Sequence, residues 1–216
     1  MKTFLSEIKT SLLLTLVLAL LLCGVYPVVV WAGARVFFPS KADGSLVVDA
    51  TGAVRGSSLL AQNFTSEKYF WPRPSAAGSG FDATSSSGTN LGPTSAKLAN
   101  GVHAKDASGK DLVDPGNFDG IKDLVAAYRT ANGLGAADPV PADAVTRSGS
   151  GLDPHISVAN ALLQAPRVAR VRNLPVEQVR ALVAQCTDGR DFGVLGEPGV
   201  NVLLLNLALE QSAAAR

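Results

Sequence analysis

The sequence predicts an α+β protein: a single N-terminal transmembrane helix followed by one mixed α+β extramembrane domain. Three observations carry this prediction. No charged side chain occurs from Thr10 to Ala34, and the centre of that run, SLLLTLVLALLLCGVYPVVVW, is almost wholly apolar. Beyond it, helical periodicities and short extended runs alternate without the regular βαβ rhythm of a parallel sheet. The 216 residues carry 19 basic and 18 acidic side chains, a net charge of +1, so no basic surplus exists to neutralise a nucleic-acid backbone.

The chain therefore divides into a short N-terminal tail at 1–9, a transmembrane helix at 10–36 and an extramembrane domain at 39–216. About 20 helical residues cross a hydrocarbon core of roughly 30 Å, which the apolar run satisfies. Tyr26 and Trp31 suit an interface, and Pro27 can kink the last turns. A cleaved signal peptide is the rival reading, with Lys2 and Lys9 ahead of the run and Ala32-Gly33-Ala34 as a cleavage site. The run exceeds the usual signal core of about 7–15 residues, which favours a retained anchor. A lipoprotein signal ending at Cys23 is set aside, because Leu20, Leu21 and Leu22 precede it. Basic residues tie across the span, Lys2 and Lys9 against Arg35 and Lys41. An N-terminal segment of this kind followed by a large polar domain usually exports that domain, so residues 39–216 are placed outside the cytoplasmic membrane. Cys23 in the span and Cys186 in the domain cannot meet, and they are too sparse for a zinc site.

Within the domain, Ser45–Gln62 reads as two short extended runs around a turn at Asp49–Gly52. Tyr69, Phe70 and Trp71 come next, with Pro-Arg-Pro around Arg73, and then a Gly/Ser-rich run of about twenty residues. That run is either a disordered bridge or an ordered, irregular loop covering a partner. The aromatics at its start favour order. Asn117–Asn132 is helical in pattern, with Asp119 as cap and Gly133 as stop. Ser157 caps a helix towards Gln164, and Pro166 opens another turn. Arg167 and Arg170 share a helix face. Pro175 fits the first turn of a helix striped by Val176, Val179, Leu182, Val183 and Cys186. GEPGVNVLLLNLALEQ is too short to span and reads as a buried C-terminal helix, interrupted by Asn201, Asn206 and Glu210.

No motif for chemistry survives inspection. A Walker loop fails at Gly109-Lys110-Asp111, where Asp replaces Ser or Thr and Ala104 replaces the first glycine. The Rossmann fingerprint, the G-x-S-x-G elbow and H-E-x-x-H are absent. Ser148 or Ser150 with Asp153 and His155 could form a triad, but such members normally come from separated segments. His155 is instead a hydrogen-bonded loop residue, and His103 is exposed. SGSGLDP makes a tight turn, two glycines supplying positive φ and Asp-Pro initiating it. The turn's free N–H groups could alternatively hold an anion.

Taken in order, GSSLLAQNFTSEKYFWPRPSA, GTNLGPTSAKL, VTRSGSGLDPHIS, QAPRVARVRNLP and LGEPGVNVLLLNLALE closely resemble the C subunit family of the Kdp potassium-transporting ATPases (KdpC). The resemblance runs from the span to Glu210. It departs at SSSGTNLGP, where SGGSNLGP is the expected form. It implies a non-catalytic accessory subunit of an ATP-driven potassium importer in bacterial inner membranes. The implied partners are a channel-like, potassium-binding A subunit and a P-type ATPase B subunit. The implied role is assembly and a raised ATP affinity of the catalytic subunit. No cofactor is bound by a motif of this chain's own, and ATP, the complex's substrate, is either contacted or coupled indirectly.

The placement matters for mechanism. An external domain caps the channel-like subunit and couples to ATP allosterically. A cytoplasmic one would offer Gln164, Arg167 and Arg170 to a nucleotide, an amide for adenine and guanidinium groups for phosphates. The bland alternative is local packing of Gln164 and surface ion pairs of the arginines. Tyr69, Phe70, Trp71, Arg73, Asp153 and His155 form a structural turn or a partner interface, and no catalytic or metal-binding residue is assigned. Two other classes compete: a secreted hydrolase cleaved after Ala34, and an anchored domain that binds a small ligand.

Overall fold

The computed structural model describes residues 2–49, 51–105 and 116–214. Gly109-Lys110-Asp111, weighed above as a Walker remnant, lies outside the described residues. The chain forms two compact units, Met1–Ser57 and Ser58–Arg216.

In the first unit the apolar run is one unbroken helical rod: α1 (Lys2–Ala19), a π-helical segment (Leu20–Val25) and α2 (Tyr26–Phe37). The expected tail is therefore helical from Lys2 onward. Within the helix Thr3–Phe37 an 18-residue window has a mean hydropathy of 2.7 and is wholly unburied, long and apolar enough to cross a membrane. The π turn sits where Pro27 demands it. A proline at 27 has no N–H and crowds the carbonyl four residues back. Tyr26 N–H reaches five residues back, to the Leu21 carbonyl, so the wider turn absorbs the ring. A one-turn α3 (Pro39–Ala42) follows, then the expected hairpin, β1 (Leu46–Val48) paired antiparallel with β2 (Val54–Ser57). Asp49 organises its turn. Its carboxylate accepts from Thr51 N–H, Thr51 Oγ1 and Ala53 N–H, and Arg55 Nε donates to it at 2.6 Å. These bonds, with that of Thr51 foremost, hold its pKa well below the usual carboxylate range.

The second unit is mixed helix and sheet. Its elements in order are α4 (Ala96–Asn100), α5 (Ile121–Asn132), α6 (Ala142–Val145), β3 (His155–Ser157), α7 (Val158–Arg172), α8 (Val176–Gln185), β4 (Thr187–Asp188), β5 (Gly199–Asn201) and α9 (Val202–Ala214). β5 is the central strand of an antiparallel sheet ordered β3-β5-β4, with Ile156 opposite Val200 and Thr187 also opposite Val200. The core is built where α7, α8 and α9 meet this sheet, from Ile156, Val168, Val179, Val183, Leu205 and Leu209. Phe70, from the irregular loop, completes it.

Three sequence expectations are corrected. Asp119 does not cap α5; Gly120 is the N-cap residue, and its N–H donates to the Asp123 carboxylate at 2.9 Å. α7 does not end at Gln164 but runs through Pro166 to Arg172. The proline removes one backbone bond, while Ala161, Gln164, Ala165, Arg167 and Val168 are buried on both sides of it. Burial outweighs the missing bond. Pro175 is the N-cap residue of α8, one position before the first turn.

Candidate functional site

The Gly/Ser-rich loop is ordered, and the SGSGLDP turn is what orders it. Ser87 N–H and Ser86 Oγ both donate to the Ser150 carbonyl, at 3.0 and 2.9 Å. Ser75 Oγ donates to the Gly151 carbonyl at 2.6 Å while accepting from Ala77 N–H and Phe81 N–H. Gly151 has φ +69°, and a Cβ there would lie 2.5 Å from the Ser87 carbonyl oxygen. Only glycine meets both demands. Arg73 clamps the other side, pairing with Asp153 at 3.0 Å and donating to the Thr146 carbonyl. The turn then enters β3, and Ser157 Oγ caps α7 by accepting from Asn160 N–H.

Below this turn lies a buried polar network. Gln164 is 1% exposed, and its carboxamide is fully committed. Its oxygen accepts from Trp71 N–H and from Arg167, both at 2.8 Å. Its NH2 donates to the Trp71 carbonyl and to Asn160 Oδ1. Asn206 does the same for the neighbouring residue, accepting from Phe70 N–H at 2.8 Å and donating to the Phe70 carbonyl at 3.0 Å. Two amide side chains thus stand in for a missing β partner along Phe70–Trp71. Tyr128 OH donates to Asn160 Oδ1 at 2.8 Å, and burial pushes its pKa well above the ordinary phenol value.

Arg167 is also 1% exposed. It donates to the carbonyls of Glu67 and Tyr69 and to the side-chain oxygens of Asn132 and Gln164. Its guanidinium stacks 4.0 Å from the Trp71 ring centroid. Burial lowers its pKa to about 10, so it stays charged at neutral pH. Arg170, expected beside it, is exposed. The structure therefore separates the two arginines by burial, and nucleotide contact by Gln164 and Arg167 requires this network to open.

His155 sits in β3 with Nε2 3.0 Å from Asp188 Oδ2 and Nδ1 3.9 Å from Asp153 Oδ1. Both ring nitrogens face carboxylates, while Ser150 Oγ accepts from Leu152 N–H. The Ser/His/Asp residues are not arranged as a triad. His103, expected exposed, is half-buried, its Nε2 3.0 Å from Asp123 Oδ2. With Asp119 these two bring their ligand atoms within 4.8 Å of one another. The His103 and Gly120 bonds hold the Asp123 carboxyl below its usual range, and they fasten the start of α5. Cys23 and Cys186 are both free thiols.

A cleft of about 310 Å³ opens beside Trp71, walled by Phe64, Phe81, Leu124 and Tyr128 with Arg73 at its edge. It offers aromatic faces, one guanidinium and the Thr65 hydroxyl. The network residues Asn132, Asn160 and Asp143, whose carboxylate accepts from Asn160 Nδ2 at 2.9 Å, carry no motif in the sequence. The one available signal was polar residues inside apolar helical stretches, as at Asn206.

Comparison with known proteins identifies relatives of the chain. A family model described as "K+-transporting ATPase, c chain" matches residues 8–211. The KdpC subunit of a potassium-transporting ATPase from Mycobacterium tuberculosis H37Rv is 46% identical over 205 residues, covering 95% of this chain and 98% of that one. That of Myxococcus xanthus is 48% identical over 209 residues, 97% and 88% of the two chains. That of Rhodospirillum rubrum is 45% identical over 207 residues, 96% of each.

Proposed function

This chain belongs to the KdpC family of K+-transporting ATPase subunits, and on that premise we propose that it is a single-pass, non-catalytic accessory subunit of a potassium importer. Its partners are the channel-like A subunit and the P-type ATPase B subunit. It supports their assembly in the bacterial inner membrane, with residues 39–216 on the periplasmic side. It raises the ATP affinity of the catalytic subunit by coupling through protein contacts rather than through a nucleotide of its own.

One observation supports indirect coupling above direct contact. The residues best suited to a nucleotide, Gln164 and Arg167, are spent on the main chain and ring of the domain's own loop. Coupling of this kind is worth about 1–3 kcal/mol between two sites, or roughly 5–150-fold in affinity.

The test compares the ATP KM of the complex with and without this subunit, and titrates ATP against the detergent-purified full chain by thermal shift. The expected result is a KM that rises several-fold on removal, with no shift of the chain alone. A shift of the isolated chain that disappears in Arg73→Ala would instead place a nucleotide in the aromatic cleft.

A further inference from the structure

Between β4 and β5 the chain folds into a small hairpin that buries nothing. Asp191 and Leu195 exchange both backbone bonds, each 2.9 Å, and Gly193 N–H donates to the Arg190 carbonyl. Phe192 at its tip is 94% exposed, with Val194 at 71% and Leu195 at 58%. Phe192 holds φ +53°, a left-handed conformation that costs a non-glycine residue stability, and Gly193 and Gly196, both at φ +77°, follow it on either side of Val194-Leu195. The turn accepts that cost while holding its largest apolar side chain in solvent. Contiguous exposed apolar groups rimmed by polar ones mark contact surfaces.

The rim has a sign. The shallow cup at the base of the hairpin is lined by Asp188, Asp191, Glu197, Arg190 and His155. Glu197 pairs with Arg190 at 2.7 Å, and Asp188 with His155. Three carboxylates face one arginine and one histidine, so the surround of the apolar tip is acidic. An anionic bilayer attracts basic segments and not this one. An apolar centre inside a charged rim is the anatomy of a protein–protein contact.

We infer that the 190–197 hairpin is a docking knob, with Phe192 seated in an apolar socket, bordered by Lys or Arg, on another subunit of the pump. This rests on the reading of the chain as a subunit of that complex.

The experiment places p-benzoylphenylalanine at position 192 of the affinity-tagged full-length chain, expressed with its partner subunits. Membranes are irradiated, and the complex is purified through the tag. The expected result is an adduct with the mass of this chain plus one partner subunit. Its yield falls by at least about tenfold when Asp191→Lys and Glu197→Lys reverse the rim. Co-purification of the partners with no adduct, or with a lipid adduct only, overturns the knob and leaves the subunit reading intact. Failure of the partners to co-purify at all overturns both. Phe192→Leu retains, and Phe192→Asp lowers, the salt resistance of the purified complex; equal behaviour of the two variants also sinks the idea.

Discussion

Arg167 is a cation whose hydrogen bonds and stacking partner are neutral: two carbonyls, two side-chain amides and an indole face. Removing it takes a donor from the part-buried Glu67 and Tyr69 carbonyls and Asn132 Oδ1 and empties a buried space against Trp71, so Arg167→Ala costs about 3 kcal/mol. For a chain of this size that is a loss of roughly 6–12 °C in Tm, measured by thermal unfolding in detergent. Arg167→Lys recovers only part of it, because an ammonium lacks the planar fork. At the edge of the same region, Glu210 accepts from Arg172 at 2.7 Å, and that bond holds its carboxyl below the ordinary 4.5. A lowered folded pKa means stability that is complete above about pH 4.5 and lost as pH falls through the lower folded value. Glu210→Gln should therefore lower Tm at neutral pH, with a difference that closes in acid; a difference constant with pH would refute the linkage. Residue identity alone placed Arg167 on a surface face. The burial came from a contact about a hundred positions away, which helical spacing does not encode.

Elements with long local periodicity were legible in the sequence, and elements made by distant pairing were not. The stripe Val179–Leu182–Val183 announces α8, and a charge-free run announces the span. β3 and β5 hold three residues each, too few to show alternation, and exist because Ile156 and Val200 find one another. α7 outlasts its proline for the same reason: tertiary burial decides, not local propensity. The SGSGLDP segment was read correctly as a turn, but of its two glycines only Gly151 takes the expected positive φ. What stayed hidden was that the turn serves as a spine for a loop some seventy residues earlier. That role fixes Gly151. Gly151→Ala meets both a positive φ and the Ser87 carbonyl, and should cost about 2–3 kcal/mol. Limited proteolysis should then cut first in the Ser75–Ser87 loop; unchanged protection there would show that the turn does not hold it.

At the scale of the whole molecule, family membership was legible because five sequence blocks recur in order, although no single block is diagnostic. Topology was not, since basic residues balance across the span. Ala137 lies in an exposed turn after α5. With Cys23→Ala and Cys186→Ala as background, Ala137→Cys should react with a membrane-impermeant maleimide in intact cells. Labelling only after lysis would put the domain in the cytoplasm and return Gln164, Arg167 and Arg170 to consideration as nucleotide contacts. The stapling of Phe70–Trp71 by Gln164 and Asn206 also bears on inheritance. Both amides grip main-chain atoms, which every amino acid but one supplies. At position 71 a lineage can therefore change its letter and still keep this lock, provided the new letter is not proline. The two amides, by contrast, have no substitute that both donates and accepts across the same span. In a deep mutational scan read by assembly, positions 164 and 206 should be almost invariant, while position 71 should exclude proline more severely than any other replacement.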